Sequence, residues 1–254
     1  MKKKISISMD ENVLSEVDRL IDGIKIKNRS QAIEYIARNF MNSSSITKAL
    51  ILAGGSLKSL KYKNTYKPLF KINGKEIILN TIEKLKEINI KKIYIASGPI
   101  TNEISKACQK ITDVDISFIS DNAQGTSGAL YNFKPYVNDQ FIVISGDVYF
   151  TFDLKQMIKF HKTRKDTIAT VAVTTVDTKH SKDSIILEGT KIKNFEYKPK
   201  RPSFYSNAGV YIFNMEIFKY IRSSGSIERD IFPELAKKRK LSAYLTSGKW
   251  IHVD

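Results

Sequence analysis

Short apolar segments alternate with amphipathic segments from residue 49 to the end of this 254-residue chain. The apolar segments have the length of buried strands, and the spacing of apolar residues between them is helical. The predicted strands are 49–52, 92–96, 116–119 and 141–144, and the predicted helices are 76–88, 101–110 and 126–133. Strands that alternate with helices form parallel sheets covered by those helices. The sequence therefore predicts an α/β domain with a mostly parallel sheet.

The first predicted strand ends at a glycine pair, in the segment Leu52-Ala53-Gly54-Gly55. Glycine lets the backbone approach a ligand closely and turn its N–H groups toward phosphate oxygens. A glycine pair after a strand can equally be a simple turn. Taken alone, the pair leaves both a phosphate-binding loop and a turn open.

Further short motifs follow the glycine pair in a fixed order. They are Lys67-Pro68-Leu69, Asn73-Gly74-Lys75, Gly125-Thr126-Ser127-Gly128, Ser145-Gly146-Asp147, Asn207-Ala208-Gly209 and Trp250-Ile251. With these motifs, residues 49–254 resemble the nucleotidyltransferases that join a sugar phosphate to a nucleotide. The resemblance implies a Rossmann-like nucleotide-diphospho-sugar transferase fold. It also implies an enzyme that joins a nucleoside triphosphate (NTP) to a sugar-1-phosphate or similar phosphorylated small molecule and releases pyrophosphate.

The same resemblance assigns roles to individual residues. Lys67, Asp147 and Lys198 match catalytic positions, and Mg²⁺ is the implied cofactor, with Asp147 and Asp254 as its expected ligands. The expected nucleotide contacts are Leu52, Ala53, Gly54, Gly55, Lys58, Gln124, Gly125 and Thr126, and the expected substrate contacts are Glu196, Asn207 and Gly209. A carboxylate such as Asp147 suits Mg²⁺ shared with substrate phosphates. Without the resemblance, Asp147 could equally end a strand at a turn, and Lys67 could be a surface charge.

The loop after the glycine pair departs from the family pattern. Ser56-Leu57-Lys58-Ser59 stands where the family continues with glycine, threonine and arginine. Lys58 or Lys61 is the candidate replacement for the arginine, although lysine lacks the planar fork that holds two phosphate oxygens. Ser120 stands near the position of a base-reading glutamine, which Gln124 could replace. The nucleobase therefore stays open.

Two later positions also depart from the pattern. Tyr197 stands where many relatives carry a glutamate that holds sugar hydroxyls, and Glu196 is displaced from that position by one residue. His252 stands where relatives often place a second metal carboxylate. Because Mg²⁺ prefers oxygen ligands, Asp254 is expected there instead of His252.

The first 43 residues have a different pattern. Residues 4–9 alternate polar and apolar side chains, which predicts a strand. Asp10 is expected to cap a helix over 12–22, and Ser30 is expected to cap a second helix with its own apolar stripe. One strand and two helices bury too little apolar surface to be stable alone, so a homodimer or larger oligomer is expected.

This order of elements resembles the ribbon-helix-helix family of DNA-binding proteins. The resemblance implies that two chains pair their strands into a ribbon that enters the DNA major groove. The expected DNA contacts are Lys4, Ser6 and Ser8 on the strand, and Asn28, Arg29 and Ser30 at the start of the second helix. Dimerisation or protein docking without DNA stays open. The predicted organisation is a ribbon-helix-helix domain at 1–43, a linker at 44–48 and a nucleotidyltransferase domain at 49–254.

Charge and cysteine content bear on partners and compartment. The net charge is +16. Residues 1–46 contain eight Lys and Arg against six Asp and Glu, so they contribute +2 and the remainder +14. Such an excess favours nucleic acid or phosphorylated partners.

Cys108 is the only cysteine, which excludes an internal disulfide and fits a reducing cytoplasm. No apolar run approaches the length of a membrane span, so no membrane partner is expected.

Two functions remain open. One is an active nucleotidyltransferase whose first unit binds DNA and regulates transcription. The alternative is a regulator whose transferase domain has lost catalysis and senses a nucleotide or sugar nucleotide. The altered loop at 56–59 favours the sensor, whereas Lys67, Asp147 and Lys198 favour catalysis. A third function, in which the basic domain is a nucleic-acid surface, has less support because its lysines are dispersed and few aromatic residues alternate with them.

Overall fold

The computed structural model describes residues 3, 5–41, 46–122, 124–177, 183–201 and 203–254, and for 38–41 the backbone alone. The chain divides into two compact units, Met1–Ser45 and Ile46–Asp254. Lys4, which is an expected DNA contact, and residues 44 and 45 of the expected linker lie outside the described residues. None of the helices in the described ranges combines the length and the hydropathy that a bilayer crossing requires.

The helices are α1 (Glu11–Asp18), α2 (Arg29–Met41), α3 (Leu57–Leu60), α4 (Ile77–Glu87), α5 (Thr101–Cys108), α6 (Gly125–Phe133), α7 (Leu154–Lys162) and α8 (Phe232–Lys237). The strands are β1 (Lys48–Leu52), β2 (Lys61–Tyr62), β3 (Thr65–Tyr66), β4 (Lys71–Ile72), β5 (Lys75–Glu76), β6 (Lys92–Ser97), β7 (Asp115–Ser120), β8 (Phe141–Ser145), β9 (Val148–Phe150), β10 (Ala169–Thr175), β11 (Asp183–Glu188), β12 (Lys191–Tyr197), β13 (Tyr205–Phe213), β14 (Leu241–Leu245) and β15 (Trp250–His252).

The second unit is built on a nine-stranded sheet with the order β11-β12-β14-β10-β13-β8-β1-β6-β7. Strands β8, β1, β6 and β7 pair in parallel, as do β10 and β14. Strand β13 is antiparallel to β8 and β10, and β12 is antiparallel to β11 and β14. Seven of the nine strands therefore run in one direction. The sheet is mixed but mostly parallel, which confirms the predicted α/β fold.

Both faces of the sheet are covered, which explains the continuous apolar runs of its central strands. Leu50 on β1 packs into a core with α6 and α8, whereas Ala49 and Ile51 pack into a second core with α4, α5 and α7. All three residues are fully buried. Successive side chains of a strand point to opposite faces, so a strand between two helical layers has to be apolar on both.

In the first unit, the cap of α1 forms as expected, because Asp10 Oδ1 accepts a hydrogen bond from Asn12 N at 2.9 Å. The helix ends at Asp18, four residues before the predicted end. The expected cap of the second helix is wrong. Asn28 Oδ1, not the Ser30 hydroxyl, accepts from Gln31 N at 3.0 Å, and Ser30 lies inside α2. An amide side chain directly before the first helical turn reaches the third backbone N–H of the helix.

Residues 5–9, where the sequence predicts a strand, are assigned to no strand, and Ile5 and Ile7 are 74% and 52% exposed. A strand needs a hydrogen-bonded neighbour, and a ribbon made by two chains would supply it only in the dimer. The described part of this unit has Val17 and Ala32 as its buried apolar side chains. The ribbon-helix-helix organisation stays a prediction.

Candidate active site

A cleft runs along the sheet edge at which the parallel strands β1, β6, β7 and β8 end. It consists of an outer cavity of about 690 Å³, a middle cavity of about 390 Å³ and an inner cavity of about 380 Å³. Gly55, Ser56 and Asp121 line both the outer and the middle cavity. The residues that line both the middle and the inner cavity are Gly125, Thr126, Ser145 and Asp147. Ligands of open α/β sheets bind at the carboxyl ends of the strands.

The glycine pair forms part of the wall of the middle cavity, together with Leu52. A methyl group on Gly54 would lie 1.6 Å from Asp121 Oδ2, and Gly55 has a φ of 129°. Glycine is therefore required at Gly54 for space and at Gly55 for backbone conformation. Ala53 N donates to Ala96 O at 2.8 Å and so continues the sheet pairing rather than pointing into the cavity.

The loop that departs from the family pattern forms the single helical turn α3. Ser56 caps this turn, because its hydroxyl accepts a hydrogen bond from Ser59 N at 3.2 Å. Ser56 and Ser59 line the middle cavity. Lys58 and Lys61 are exposed and line none of the three cavities. The structure therefore brings serine hydroxyls, not a lysine ammonium group, to this part of the cleft.

Helix α6 begins at the junction of the middle and inner cavities, where Gly125 and Thr126 line both. A side chain at Gly125 would lie 2.3 Å from Gly225 O, and Gly225 N donates to Gln124 O at 2.8 Å. Gln124 itself is exposed and lines none of the three cavities. In the first turn of this nine-residue helix, Ser127 N already donates to Gly225 O at 3.0 Å. Gly125 and Thr126 therefore carry the N–H groups that can face phosphate, at the positive end of the helix dipole.

A carboxylate fixed by three hydroxyl groups lies in the inner cavity. Glu228 accepts hydrogen bonds from the hydroxyls of Thr126 (2.9 Å), Ser226 (2.8 Å) and Tyr211 (3.1 Å). Asn207 Nδ2 donates to the Tyr211 hydroxyl at 2.8 Å, and Asn207 Oδ1 accepts from Gly209 N at 2.9 Å. Burial, with the charge of Glu228 adding to it, raises the pKa of Tyr211 well above its ordinary value. Sequence reasoning found Asn207 and Gly209 but missed Tyr211 and Glu228.

At the end of β12, only one of three residues that the sequence analysis discussed reaches the inner cavity. Phe195 is buried, and strand alternation places Tyr197 on the same face, where it lines the inner cavity. Glu196 is exposed and lies on the opposite face. Lys198 is also exposed, with a φ of 50°, and its ammonium nitrogen lies 5.4 Å from the centroid of the Tyr197 ring. Neither Glu196 nor Lys198 lines the inner cavity. The half-buried Lys67, in contrast, lines the inner cavity.

His252 lies between the two carboxylates that were expected to bind the metal. Its Nε2 is 3.2 Å from Asp147 Oδ2, and its Nδ1 is 3.1 Å from Asp254 Oδ1. The antiparallel pairing of β15 with β9 fixes this arrangement, and Val253 N donates to Asp147 O at 2.9 Å. Two ligands of one Mg²⁺ lie within roughly 4 Å of each other. Carboxylates bound to opposite nitrogens of one imidazole cannot both coordinate the same ion.

The donor set nevertheless fits a metal ion that is shared with substrate phosphates. Within the described ranges, no three His, Cys, Asp or Glu side chains form a group that could hold a metal. Magnesium is commonly held by one or two carboxylates together with phosphate oxygens and water. Asp147 alone lines both the middle and the inner cavity, whereas Asp254 lines the inner cavity only. Of the two expected ligands, Asp147 is thus the one positioned to reach a metal shared between the two cavities.

Comparison with known proteins agrees with this geometry. Residues 48–253 match the family model described as nucleotidyl transferase. Over 220 residues the chain is 31% identical to the mannose-1-phosphate guanylyltransferase catalytic subunit beta of Drosophila pseudoobscura pseudoobscura, covering 82% of this chain and 59% of that protein. It is 29% identical over 248 residues to the mannose-1-phosphate guanylyltransferase regulatory subunit alpha-A of Danio rerio, covering 81% of this chain and again 59% of the relative.

Solved structures show the same fold. The crystal structure of HddC from Yersinia pseudotuberculosis superimposes with a TM-score of 0.67 at 25% identity, covering 82% of this chain and 93% of HddC. That protein has also been solved in complex with GMP-PN, with the same score and coverage. The family match begins at residue 48, so the first unit lies outside it.

Proposed function

The chain belongs to the nucleotidyl transferase family, and on this basis we propose that it transfers a nucleotidyl group from an NTP to a sugar-1-phosphate and releases pyrophosphate. The observation that carries the proposal is the continuous cleft. Its middle cavity combines the glycine loop with the start of α6, and its inner cavity adds Lys67 and the polar side chains around Glu228. Asp147 lies where the two cavities meet.

Charge is the main obstacle to this reaction, because the sugar phosphate and the α-phosphate are both anions when the first attacks the second. Backbone N–H groups at the glycine loop and at the start of α6 are placed to bind the triphosphate. Lys67, on the wall of the inner cavity, is placed to hold the incoming phosphate and lower its repulsion. A magnesium ion held by Asp147 would neutralise charge on both reacting phosphates. Fixed positions for both substrates then favour in-line attack.

The inner cavity is suited to a polyol. Asn207, Tyr211, Glu228 and the buried Asp183 all line it and can exchange hydrogen bonds with hydroxyl groups. Tyr197 lines the same cavity, at the position where many relatives carry a glutamate, and Glu228 is the carboxylate that could make the hydroxyl contact instead. The names of the relatives favour mannose-1-phosphate and GTP as the first pair of substrates to test. The chain spans 59% of the length of both curated relatives, so their complete activities are proposals for this protein.

The test is a pyrophosphate-release assay with the full chain and Mg²⁺. The four common NTPs are combined with a panel of sugar-1-phosphates, including mannose-1-phosphate and glucose-1-phosphate. We expect release that depends on both substrates and stops when the sugar phosphate is left out. The absence of release with every pair, at enzyme concentrations near those of the substrates, would contradict the proposal.

A second candidate is a regulator that binds a nucleotide or sugar nucleotide without turnover. His252 supports it, because its imidazole contacts the Asp147 carboxylate where relatives often have a second metal ligand. The similarity to a protein named a regulatory subunit supports it as well. Saturable nucleotide binding without pyrophosphate release from any pair would favour this candidate over catalysis.

We also propose that residues 1–43 dimerise the protein, bind DNA and so regulate transcription. The apolar side chains Ile5, Ile7, Val13 and Ile36 are 41–74% exposed, so the described part of this unit leaves apolar surface that a second copy could cover. Ser6 and Ser8 are exposed as well. Arg29 is already paired with Asp18, through bonds of 2.7 and 2.8 Å. This ion pair is exposed, so a DNA phosphate would compete with Asp18 for Arg29, and the uncapped N–H groups at the start of α2 are the other expected phosphate contact.

Two substitutions that add the same charge to opposite faces of residues 5–9 test this proposal. Ile7→Asp places a carboxylate on the face that should be buried in the dimer, and we expect a monomer by sedimentation velocity. Ser8→Asp should leave the dimer intact but abolish retention of DNA fragments from the protein's own promoter region in a gel-shift assay. A monomeric unsubstituted protein, or a dimer that survives Ile7→Asp, would contradict the model. If the unsubstituted protein is a dimer but retains no DNA, dimerisation alone would remain as the role of residues 1–43.

A further inference from the structure

A set of hydrogen bonds connects the start of α6 to the distant segment 222–228. Ser127 N donates to Gly225 O at 3.0 Å, and Gly225 N donates to Gln124 O at 2.8 Å. The Ser127 hydroxyl donates to Arg222 O at 2.9 Å and accepts a hydrogen bond from Arg222 N at 3.0 Å. These four bonds tie the two segments to each other, so a shift of one segment displaces the other.

Thr126 belongs to this connection and lies between the two substrate sites. Its hydroxyl accepts a hydrogen bond from Ile227 N at 2.8 Å and donates one to Glu228 Oε2 at 2.9 Å. An ionised carboxylate can only accept, so the single hydrogen of this hydroxyl is directed at Glu228. The backbone N–H of Thr126, in contrast, can face phosphate at the start of α6. One residue therefore serves the nucleotide site with its backbone and the sugar cavity with its side chain.

Glu228 is held by two further hydroxyls that are oriented in the same way. The Ser226 hydroxyl accepts from Arg229 N at 3.1 Å and donates to Glu228 at 2.8 Å. The Tyr211 hydroxyl accepts from Asn207 Nδ2 at 2.8 Å and donates to Glu228 at 3.1 Å. A carboxylate has about four lone-pair positions, so these three donors leave about one position for a hydroxyl of the substrate. The direction of that position depends on all three donors.

Binding at one site therefore orders a group that the other site needs. Phosphate on the Thr126 N–H fixes this residue, and with it the hydrogen that the residue donates to Glu228. A sugar hydroxyl on Glu228 fixes the same hydrogen bond from the other end. The entropy cost of ordering the two residues falls on the substrate that binds first, so the second substrate binds more tightly.

We propose that Thr126 is a positioning residue that couples the two substrate sites through its hydrogen bond to Glu228, so that an NTP and a sugar-1-phosphate each raise the affinity for the other. The inference rests on the proposed function, since it takes the cleft to hold these two substrates. It adds the pair of residues that makes their binding cooperative.

The test measures the dissociation constant of the sugar phosphate for the full chain by isothermal titration calorimetry, with and without a saturating NTP analogue. The analogue has a methylene group between its α- and β-phosphates and cannot release pyrophosphate, so binding is measured without turnover. The first probes are mannose-1-phosphate and the GTP analogue, followed by the other pairs of the pyrophosphate-release assay. With Mg²⁺ present, we expect the analogue to lower this dissociation constant roughly 5- to 50-fold. The reverse titration should give the same factor.

Thr126→Val removes the hydroxyl but keeps the backbone N–H and the size of the side chain. We expect the affinity for the analogue alone to change less than about threefold, whereas the cooperativity factor falls to about 1. Thr126→Ser keeps the hydroxyl and should keep most of the cooperativity. Thr163→Val is the matched control. The Thr163 hydroxyl donates to Phe160 O at 2.7 Å, outside the three cavities, so its loss should change neither the affinities nor the cooperativity.

A double variant distinguishes the loss of this one hydrogen bond from general damage to the domain. Glu228→Gln replaces one acceptor oxygen by an amino group and should also remove the cooperativity. Because both substitutions act on the same hydrogen bond, Thr126→Val combined with Glu228→Gln should lose no more cooperativity than either substitution alone. Independent losses would multiply, and the two substrates would then weaken each other's binding.

Two results would overturn the coupling and leave the proposed function standing. One is binding of both ligands to the unsubstituted protein without cooperativity. The other is unchanged cooperativity in Thr126→Val, which would assign the coupling to a metal ion shared by the two substrates. Failure of every pair of ligands to bind would overturn both the inference and the two sites on which it rests.

Discussion

Replacement of Asp147 by asparagine is expected to lower kcat for pyrophosphate release by roughly 10²- to 10³-fold. Asp147 follows β8 at the junction of the middle and inner cavities, where both reacting phosphates have to meet. Asparagine has nearly the same size but no charge, so it weakens the hold on a magnesium ion while leaving the packing unchanged. The Asp147 side chain is 28% exposed, so little change in the free energy of unfolding is expected. The measurement is kcat at saturating concentrations of both substrates.

Asp254→Asn is the matched control, because both carboxylates contact the same imidazole. Asp254 lies on the Nδ1 side of His252, away from Asp147, and its side chain is 51% exposed. We expect its substitution to lower kcat far less than that of Asp147. Equal losses in the two variants would show that both carboxylates act on the metal. His252 would then have to move from its position between them when substrates bind.

The parts of the site that short segments encode could be predicted from the sequence. Leu52-Ala53-Gly54-Gly55 and Ser145-Gly146-Asp147 each begin at the last residue of an apolar strand, and the parallel pairing of β1 with β8 brings the two segments together. The local pattern thus determines which residues lie at the edge of the sheet. The fold then brings these residues together, because the carboxyl ends of neighbouring parallel strands lie side by side.

Contacts between distant segments could not be predicted in this way. Thr126 and Glu228 are 102 positions apart, and Glu228 lies in the short π-helical turn Ile227–Ile231, which has no apolar periodicity of its own. Glu196 shows the effect of a one-residue error in assigning a strand position. One residue along β12 moves a side chain to the other face of the sheet, so Tyr197 and not Glu196 reaches the inner cavity.

In the first unit, sequence-based prediction is limited for a different reason. Alternation over residues 4–9 predicts a strand, but a strand forms only where another strand offers hydrogen bonds, and within the described residues no strand pairs with 5–9. The start of α2 depends on finer competition, because Asn28 and Ser30 are both good capping residues only two positions apart. Residue type alone does not decide which of the two caps the helix. The capping residue is the one whose side chain lies within reach of the first free N–H groups.

Phe232→Ala is expected to destabilise the second unit by roughly 3–5 kcal/mol, because it leaves a cavity beneath the inner cavity of the cleft. Phe232 is fully buried, and the centroids of the Phe195 and Tyr211 rings lie 5.2 Å from that of Phe232. Chemical denaturation followed by the fluorescence of Trp250, the only tryptophan, measures the change in the second unit. Phe204→Ala makes the same substitution at a side chain that is 68% exposed, and should cost less than about 0.5 kcal/mol.

The same variant tests whether the aromatic cluster positions the polar groups of the inner cavity. Phe232 directly follows the turn that carries Glu228, and its ring supports that of Tyr211, whose hydroxyl donates to Glu228. Loss of the ring should let both groups shift, so we expect a higher KM for the sugar phosphate at temperatures where Phe232→Ala is still folded. The KM for the NTP should change less, because the glycine loop packs elsewhere and the Glu228 side chain is connected to the start of α6 through the Thr126 hydroxyl only. Equal increases in both constants would instead indicate general loosening of the domain and argue against a local role for this cluster.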